Sequence, residues 1–159
     1  YKITGIYFFI LYCVYTQCKE KIMNKNLSEC NCLNLRWVTC RTIALYNKYL
    51  TPIGITVQQY AILKNIINSS PVTVTDLAAI LQFERSTISR NIKVLTDKGL
   101  VTYTNPKGRA KQLELTEMGK DILCAANIEW DKAQKEFADK LGPERMEQWN
   151  ELLTCLLEV

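Results

Sequence analysis

The stretch Arg85–Val101, RSTISRNIKVLTDKGLV, puts small hydroxyls and long cations where they could act on a polyanion. On a helix advancing about 100° per residue, Ile88, Ile92 and Leu95 form one apolar stripe, spaced i, i+4, i+7. Ser86, Ser89, Arg90 and Lys93 gather on the opposite side. Gly99 stands where a left-handed residue ends a helix. The apolar stripe must pack on something. The outer side offers hydroxyls that allow close approach and cations that neutralise phosphate. Each residue also has a plainer use: Ser86 or Thr87 can cap the helix, and Arg90 with Lys93 alone would make a solvated face.

Most other chemistry is excluded by what is missing. Histidine is absent, which removes Cys-His and Ser-His-Asp machinery and every His-containing zinc site. An enzyme would need a Lys, carboxylate or Tyr base, and no convergent set of these is visible. No catalytic role and no cofactor is therefore expected. The seven cysteines (Cys13, Cys18, Cys30, Cys32, Cys40, Cys124, Cys155) are odd in number and lack the repeated spacing of a disulfide framework. A reducing cytoplasmic location is the simpler expectation. Cys30-x-Cys32 with Cys40 has the wrong spacing for zinc, so no metal is expected.

The charge distribution is more informative than its sum of +4. From Glu84 to Lys111 there are seven Lys/Arg and two acids; from Glu117 to the end there are ten acids and five bases. A basic middle and an acidic C-terminal third imply one lobe facing nucleic acid and another facing away from it. At 159 residues, 48% hydrophobic and 23% charged, the chain fits one ordinary domain with its own core.

The elements that must position the basic stretch can be read in order. A broad apolar pattern from Cys30 to Leu50 (Cys32, Leu33, Leu35, Val38, Ile43, Leu45, Tyr46, Tyr49) predicts a helix, broken by Pro52 and Gly54. A second helix runs from Thr56 to about Asn68, with Tyr60, Leu63, Ile66 and Ile67 inward. In TVTDLAAIL, Thr73 and Asp76 form a capping box for a short helix burying Leu77, Ile80 and Leu81. Gln82 and Phe83 connect it to the opening stretch, with Glu84 at the N-cap. After Gly99 the period changes. Two strands are predicted, Leu100–Tyr103 and Lys111–Thr116, joined by a Pro-Gly turn with cations at its tip. Two helices close the chain, about Glu117–Leu141 and Pro143–Leu157. The first is roughly 37 Å long, more than one small core needs, so part of it is expected to pack on a second subunit.

This order predicts a mainly α protein with a small β-hairpin wing: a winged helix-turn-helix with N- and C-terminal dimerisation helices. The lobe for DNA spans about 56–116, and the dimerisation helices about 30–50 and 117–159, within a single domain of residues 23–159. Residues 1–22 look foreign to it. Their run GIYFFILYCVY is too short for a bilayer, which needs about twenty residues, and lacks a signal-peptide cleavage site. They read as an upstream extension or as an apolar arm, and no membrane role is expected.

ITVQQYAILKNI, TVTDLAAILQFERSTISRNIKVLTDKGLV and GRAKQLELTEMGK together resemble the MarR (multiple-antibiotic-resistance) family of bacterial transcription regulators, over about Cys30 to the C-terminus. The specific part is the combination of S-T-I-S-R, K-G-L-V and L-T-E-x-G. The resemblance implies a homodimer that binds pseudo-palindromic double-stranded DNA. It also implies a repressor released by a small aromatic ligand or by thiol oxidation. Ser86, Thr87, Ser89, Arg90 and Lys93 match the groove-facing residues of the family's recognition helix, and Arg109 matches its wing arginine. Thr73, Lys107 and Lys111 complete the expected DNA-binding set. The family usually has aspartate two residues before the wing arginine; here Lys107 stands there, which makes the tip more cationic and the arginine less restrained.

Alignment of ITVQQY with the organic-hydroperoxide-sensing branch places Cys32 at that branch's reactive cysteine and Tyr46 at a tyrosine that hydrogen-bonds its sulfur. Two further tyrosines of that branch are replaced by Arg36 and Val57. The alternative is that Cys32 is a small buried apolar residue. A second reading of the whole chain also stands: a winged-helix module that holds a protein partner and does not bind DNA.

Overall fold

The structure is a computed structural model, described here for residues 27–104 and 111–158. The expectations for residues 1–22 and for the hairpin tip, with Lys107 and Arg109, lie outside the described residues. The chain divides into two compact units, Tyr1–Ala44 and Leu45–Val159, so the boundary falls inside the first helix.

Helix α1 spans Asn31–Leu50. Its twenty residues contain neither Gly nor Pro, so nothing interrupts it until Pro52 enters the 3-10 turn Thr51–Ile53 and Gly54 closes that turn at φ 87°. In the first unit, Asn34 clasps the helix start: its Oδ1 accepts from Ser28 N–H and its Nδ2 donates to the Ser28 carbonyl, both at 2.8 Å. Leu33, Leu35 and Val38, part of the apolar pattern that predicted the helix, are exposed.

The second unit holds the core. Helix α2, Val57–Asn68, starts at a reciprocal capping box between Thr56 and Gln59 and buries Tyr60, Ile62, Leu63 and Ile66. Strand β1, Val72–Thr73, leads into α3, Val74–Leu81, whose cap Thr73 forms the predicted box with Asp76. Gln82, at φ 53°, turns the chain into α4, Arg85–Asp97. Strands β2, Val101–Tyr103, and β3, Gln112–Leu115, make the hairpin. Helices α5, Glu117–Leu141, and α6, Pro143–Leu156, follow.

The sheet has the order β1-β3-β2, antiparallel throughout, with Val72 opposite Leu113 and Val101 opposite Leu115. Its third strand, β1, was not predicted. The hairpin strands are also shorter than predicted, because the end residues have other tasks. Leu100 N–H closes α4 by bonding the Leu95 carbonyl, and Thr116 caps α5.

Leu50, Leu63, Leu77, Ile88, Ile92, Leu95, Leu113 and Leu123 meet in one core, with Trp130 packed at its edge. Two predicted core residues, Ile67 and Ile80, are instead 47% and 48% exposed. In α3 the core side is the line Val74, Leu77, Ala78, Leu81, and Ile80 falls roughly 100° off the centre of that line. In the last turn of α2 the core continues only on the Ile66 side. The end of α1 is tied to α5 at Glu136, whose carboxylate accepts from Lys48 Nζ at 2.7 Å and Tyr49 OH at 2.6 Å.

Candidate nucleic-acid interface

Helix α4 separates its two faces cleanly. Ile88, Ile92 and Leu95 are fully buried, whereas Arg85, Ser86, Ser89, Arg90 and Lys93 are exposed. The buried stripe seats the helix on the core through contacts to α2 and α3. The outer stripe is therefore presented by a rigid support. The helix ends in a Schellman motif: Leu100 N–H bonds the Leu95 carbonyl and Gly99 N–H the Thr96 carbonyl, both at 2.9 Å. Gly99 has φ +71°, the left-handed conformation the sequence led us to expect.

The cations of the outer face are held within the helix. Arg90 Nε donates to the Ser86 carbonyl at 3.2 Å, folding the guanidinium back along the helix. Lys93 Nζ pairs with Asp97 Oδ2 at 2.9 Å, and that hydrogen bond raises the lysine pKa. Both contacts are exposed and weak in water, so a phosphate or base edge can displace them. The sequence reading did not single out Asp97, though the i, i+4 Lys-Asp spacing signals the pair.

The remaining predicted residues are placed differently from one another. Thr87 is half-buried and lines a shallow depression of about 480 Å³ with Ala78, Gln82, Phe83 and Glu84 at the turn between α3 and α4. Thr73 spends its hydroxyl locally: it donates to Asp76 Oδ2 at 2.8 Å and accepts from Asp76 N–H. That hydroxyl bond and a second one from Thr73 N–H to Oδ2 at 2.9 Å lower the Asp76 pKa. Lys111 is exposed at the base of the hairpin, its ammonium 5.8 Å from the centre of the Tyr103 ring. Arg85, also exposed, was not predicted as a contact; its signal was its place at the first position of the helix.

Cys32 lies exposed in the first turn of α1, contrary to the buried alternative. Tyr46 belongs to the second unit. The Tyr46 ring lies 6.5 Å from Trp130, which stacks on Tyr60 at 5.9 Å, and burial raises the Tyr46 pKa. Tyr60 OH donates to Asn127 Oδ1 at 3.0 Å. Among the described residues there is no group of three or more potential metal-ligating side chains, and no helix is long and apolar enough to cross a membrane.

A family model described as MarR family matches residues 53–111, from the turn after α1 to the foot of β3. Among solved structures, the transcriptional regulator MosR of M. tuberculosis is 29% identical, over 84% of this chain and 98% of its own, with a TM-score of 0.69. MosR solved in complex with DNA is 31% identical, over 82% of this chain and 97% of its own, with a TM-score of 0.68. A cysteine-to-serine mutant of E. coli MarR solved with operator DNA is 25% identical, over 77% of this chain and 90% of its own, with a TM-score of 0.69. No curated protein sequence matches the chain.

Proposed function

Because this chain belongs to the MarR family of winged helix-turn-helix regulators, we propose that it is a sequence-specific DNA-binding transcription regulator acting as a homodimer on pseudo-palindromic duplex DNA. The observation that carries the reading is α4: one face wholly buried, the other a continuous exposed stripe of Ser86, Ser89, Arg90 and Lys93, with a hairpin directly behind it. The DNA-bound MosR relative, 31% identical, supports it. Arg90 releases Ser86 and addresses base edges in the major groove, where bidentate arginine contacts discriminate by about 1–3 kcal/mol. Lys93, Lys107 and Lys111 neutralise phosphates, Arg109 carries the wing toward the backbone or minor groove, and Ser86, Thr87 and Ser89 make the close contacts. The structure supports a capping role for Thr73 more directly than a contact role.

The lobe of about residues 56–116 binds DNA in this reading, and the helices of about 30–50 and 117–159 dimerise. Leu33, Leu35 and Val38 on α1, and Leu152, Leu153 and Leu156 on α6, are exposed apolar side chains that a second copy would cover. The dimer sets two recognition helices about 34 Å apart, one turn of DNA. Release follows from a small aromatic ligand or from oxidation of Cys32, in the cytoplasm, and no enzymatic step is assigned.

The test is duplex binding as a function of salt. Affinity should fall with a log–log slope near −0.9 for each phosphate contacted, and light scattering should give the mass of a dimer. Absence of duplex binding at low salt overturns the reading and leaves the protein-interaction module.

A further inference from the structure

The recognition helix α4 is held unequally at its two ends. At its N-terminus Glu84 makes no side-chain cap. At its C-terminus Thr116 grips it twice: Thr116 Oγ1 donates to the Gly99 carbonyl at 2.6 Å, and Thr116 N–H donates to the Leu100 carbonyl at 3.1 Å. The same hydroxyl accepts from Gly119 N–H at 3.0 Å and so caps α5. A hydroxyl has one proton to give and lone pairs to receive with, so both bonds can exist together. Gly119 makes the approach feasible, since a Cβ there would lie 2.0 Å from the Leu100 oxygen. From the other side Lys98 Nζ donates to the carbonyl of Gly54, in the turn after α1.

This arrangement gives leverage. Ser86 and Gly99 are separated by roughly 19 Å of helix, so even a tilt of about 3° at the Thr116 end, small enough for the packed face to follow, moves Ser86 by about 1 Å. Base readout is sensitive on that scale, because a side-chain hydrogen bond is lost beyond about 3.5 Å.

We propose that Thr116 is a positioning residue for DNA recognition: its hydroxyl fixes the angle at which α4 leaves α5, and through it the placement of Ser86, Ser89 and Arg90 on the bases. The proposal rests on the DNA-binding reading and deepens it. Thr116 is half-buried and contacts no DNA in this account. It determines discrimination between sequences, not attraction to phosphate.

The experiment compares the wild-type chain with Thr116→Val, which loses both hydroxyl bonds, and Thr116→Ser, which keeps both. The probes are a duplex selected by the wild type from a random library and an unselected duplex of equal length. Thr116→Val should bind the selected duplex about tenfold more weakly per folded dimer, a loss of the size of one base contact. Its affinity for the unselected duplex and its salt slope should stay within about twofold. Thr116→Ser should match the wild type throughout. A merely structural threonine would lower the Tm of Thr116→Val and leave the ratio of the two affinities unchanged, which overturns the proposal. Should Thr116→Val not fold, Thr116→Ala, which also loses both hydroxyl bonds, takes its place; an unchanged ratio there overturns it equally. If the wild type selects no duplex, the DNA-binding reading itself fails and takes this proposal with it. If it selects one and Thr116→Val discriminates as well, the positioning role alone is lost.

Discussion

Gly119→Ala sets two effects against each other. Gly119 lies in the first turn of α5, and replacing a helical glycine by alanine ordinarily stabilises by about 1 kcal/mol. Here the new Cβ would stand 2.0 Å from the Leu100 oxygen and 3.0 Å from its carbonyl carbon. The obstacle is backbone, so it cannot rotate away. Relief requires more than about 1 Å of movement between α5 and the start of β2, a strain of the kind that costs about 1–3 kcal/mol or more in a packed core. That movement also breaks the bond from Thr116 N–H to the Leu100 carbonyl, worth about 1 kcal/mol. The clash wins, with a net destabilisation of about 2 kcal/mol. Urea unfolding followed at one fixed protein concentration, so that association does not confuse the comparison, should show a lower midpoint with an unchanged slope. A midpoint equal to or above the wild type would refute the reasoning. Gly99→Ala makes the contrast: its Cβ meets only the flexible end of Met118, so its cost comes from φ +71° and should be about 1–2 kcal/mol.

Three further outcomes are expected. Arg90→Ala should cost about 1–3 kcal/mol on a selected duplex and relax preference at one position per half-site, whereas Lys111→Ala should weaken all sequences alike and reduce the salt slope by about 1; equal effects of the two would refute the division of roles. Bonds from Lys140, Lys48 and Tyr49 hold the Glu136 pKa at about 2, below its ordinary 4.5, so its contribution to stability is complete above about 4.5 and lost as pH falls toward 2. The Tm difference between the wild type and Glu136→Gln should therefore close over that interval, and a gap independent of pH would contradict it. With one equivalent of an organic hydroperoxide, the wild type should form a sulfenic acid and release duplex while Cys32→Ser does neither; identical behaviour removes Cys32 as a sensor.

Local rules made much of the second unit readable. Thr73 with Asp76 announces its helix because a cap is a contact between near neighbours in sequence, and the box forms; Thr56 opens its helix as expected, and the structure adds Gln59 as its capping partner. Ile88, Ile92 and Leu95 are buried as their spacing requires. What escaped depends on distant partners. Strand β1 is two residues long and shows no alternation; it exists because Val72 and Thr73 lie beside Leu113 and Gln112, some forty residues away in sequence. Ile67 and Ile80 are as apolar as their buried neighbours, and only the placement of the other helices separates them. The outer face of α4 was legible as composition, but the folding-back of Arg90 onto Ser86 was not, because a flexible side chain has no periodicity. The grip of Thr116 on Gly99 joins two motifs that the sequence shows only separately.

The division of α4 into two faces also bears on descent. Ser86, Ser89, Arg90 and Lys93 belong to no part of the core, and their internal bonds are exposed. Exchanges at such positions usually change stability by no more than about 0.5 kcal/mol. Under the proposed assignment of these residues to base contacts, a duplicated gene could drift to a new operator through these four codons while its product folded as before. The reverse face has no such freedom: Ile88, Ile92 and Leu95 are each at most 1% exposed, and truncating one to alanine costs about 2–5 kcal/mol. Copies of this protein that have parted ways in their targets are expected to differ along the outer stripe and to agree at Ile88, Ile92, Leu95, Gly99 and Gly119, so that lineages inherit the scaffold and rewrite the address.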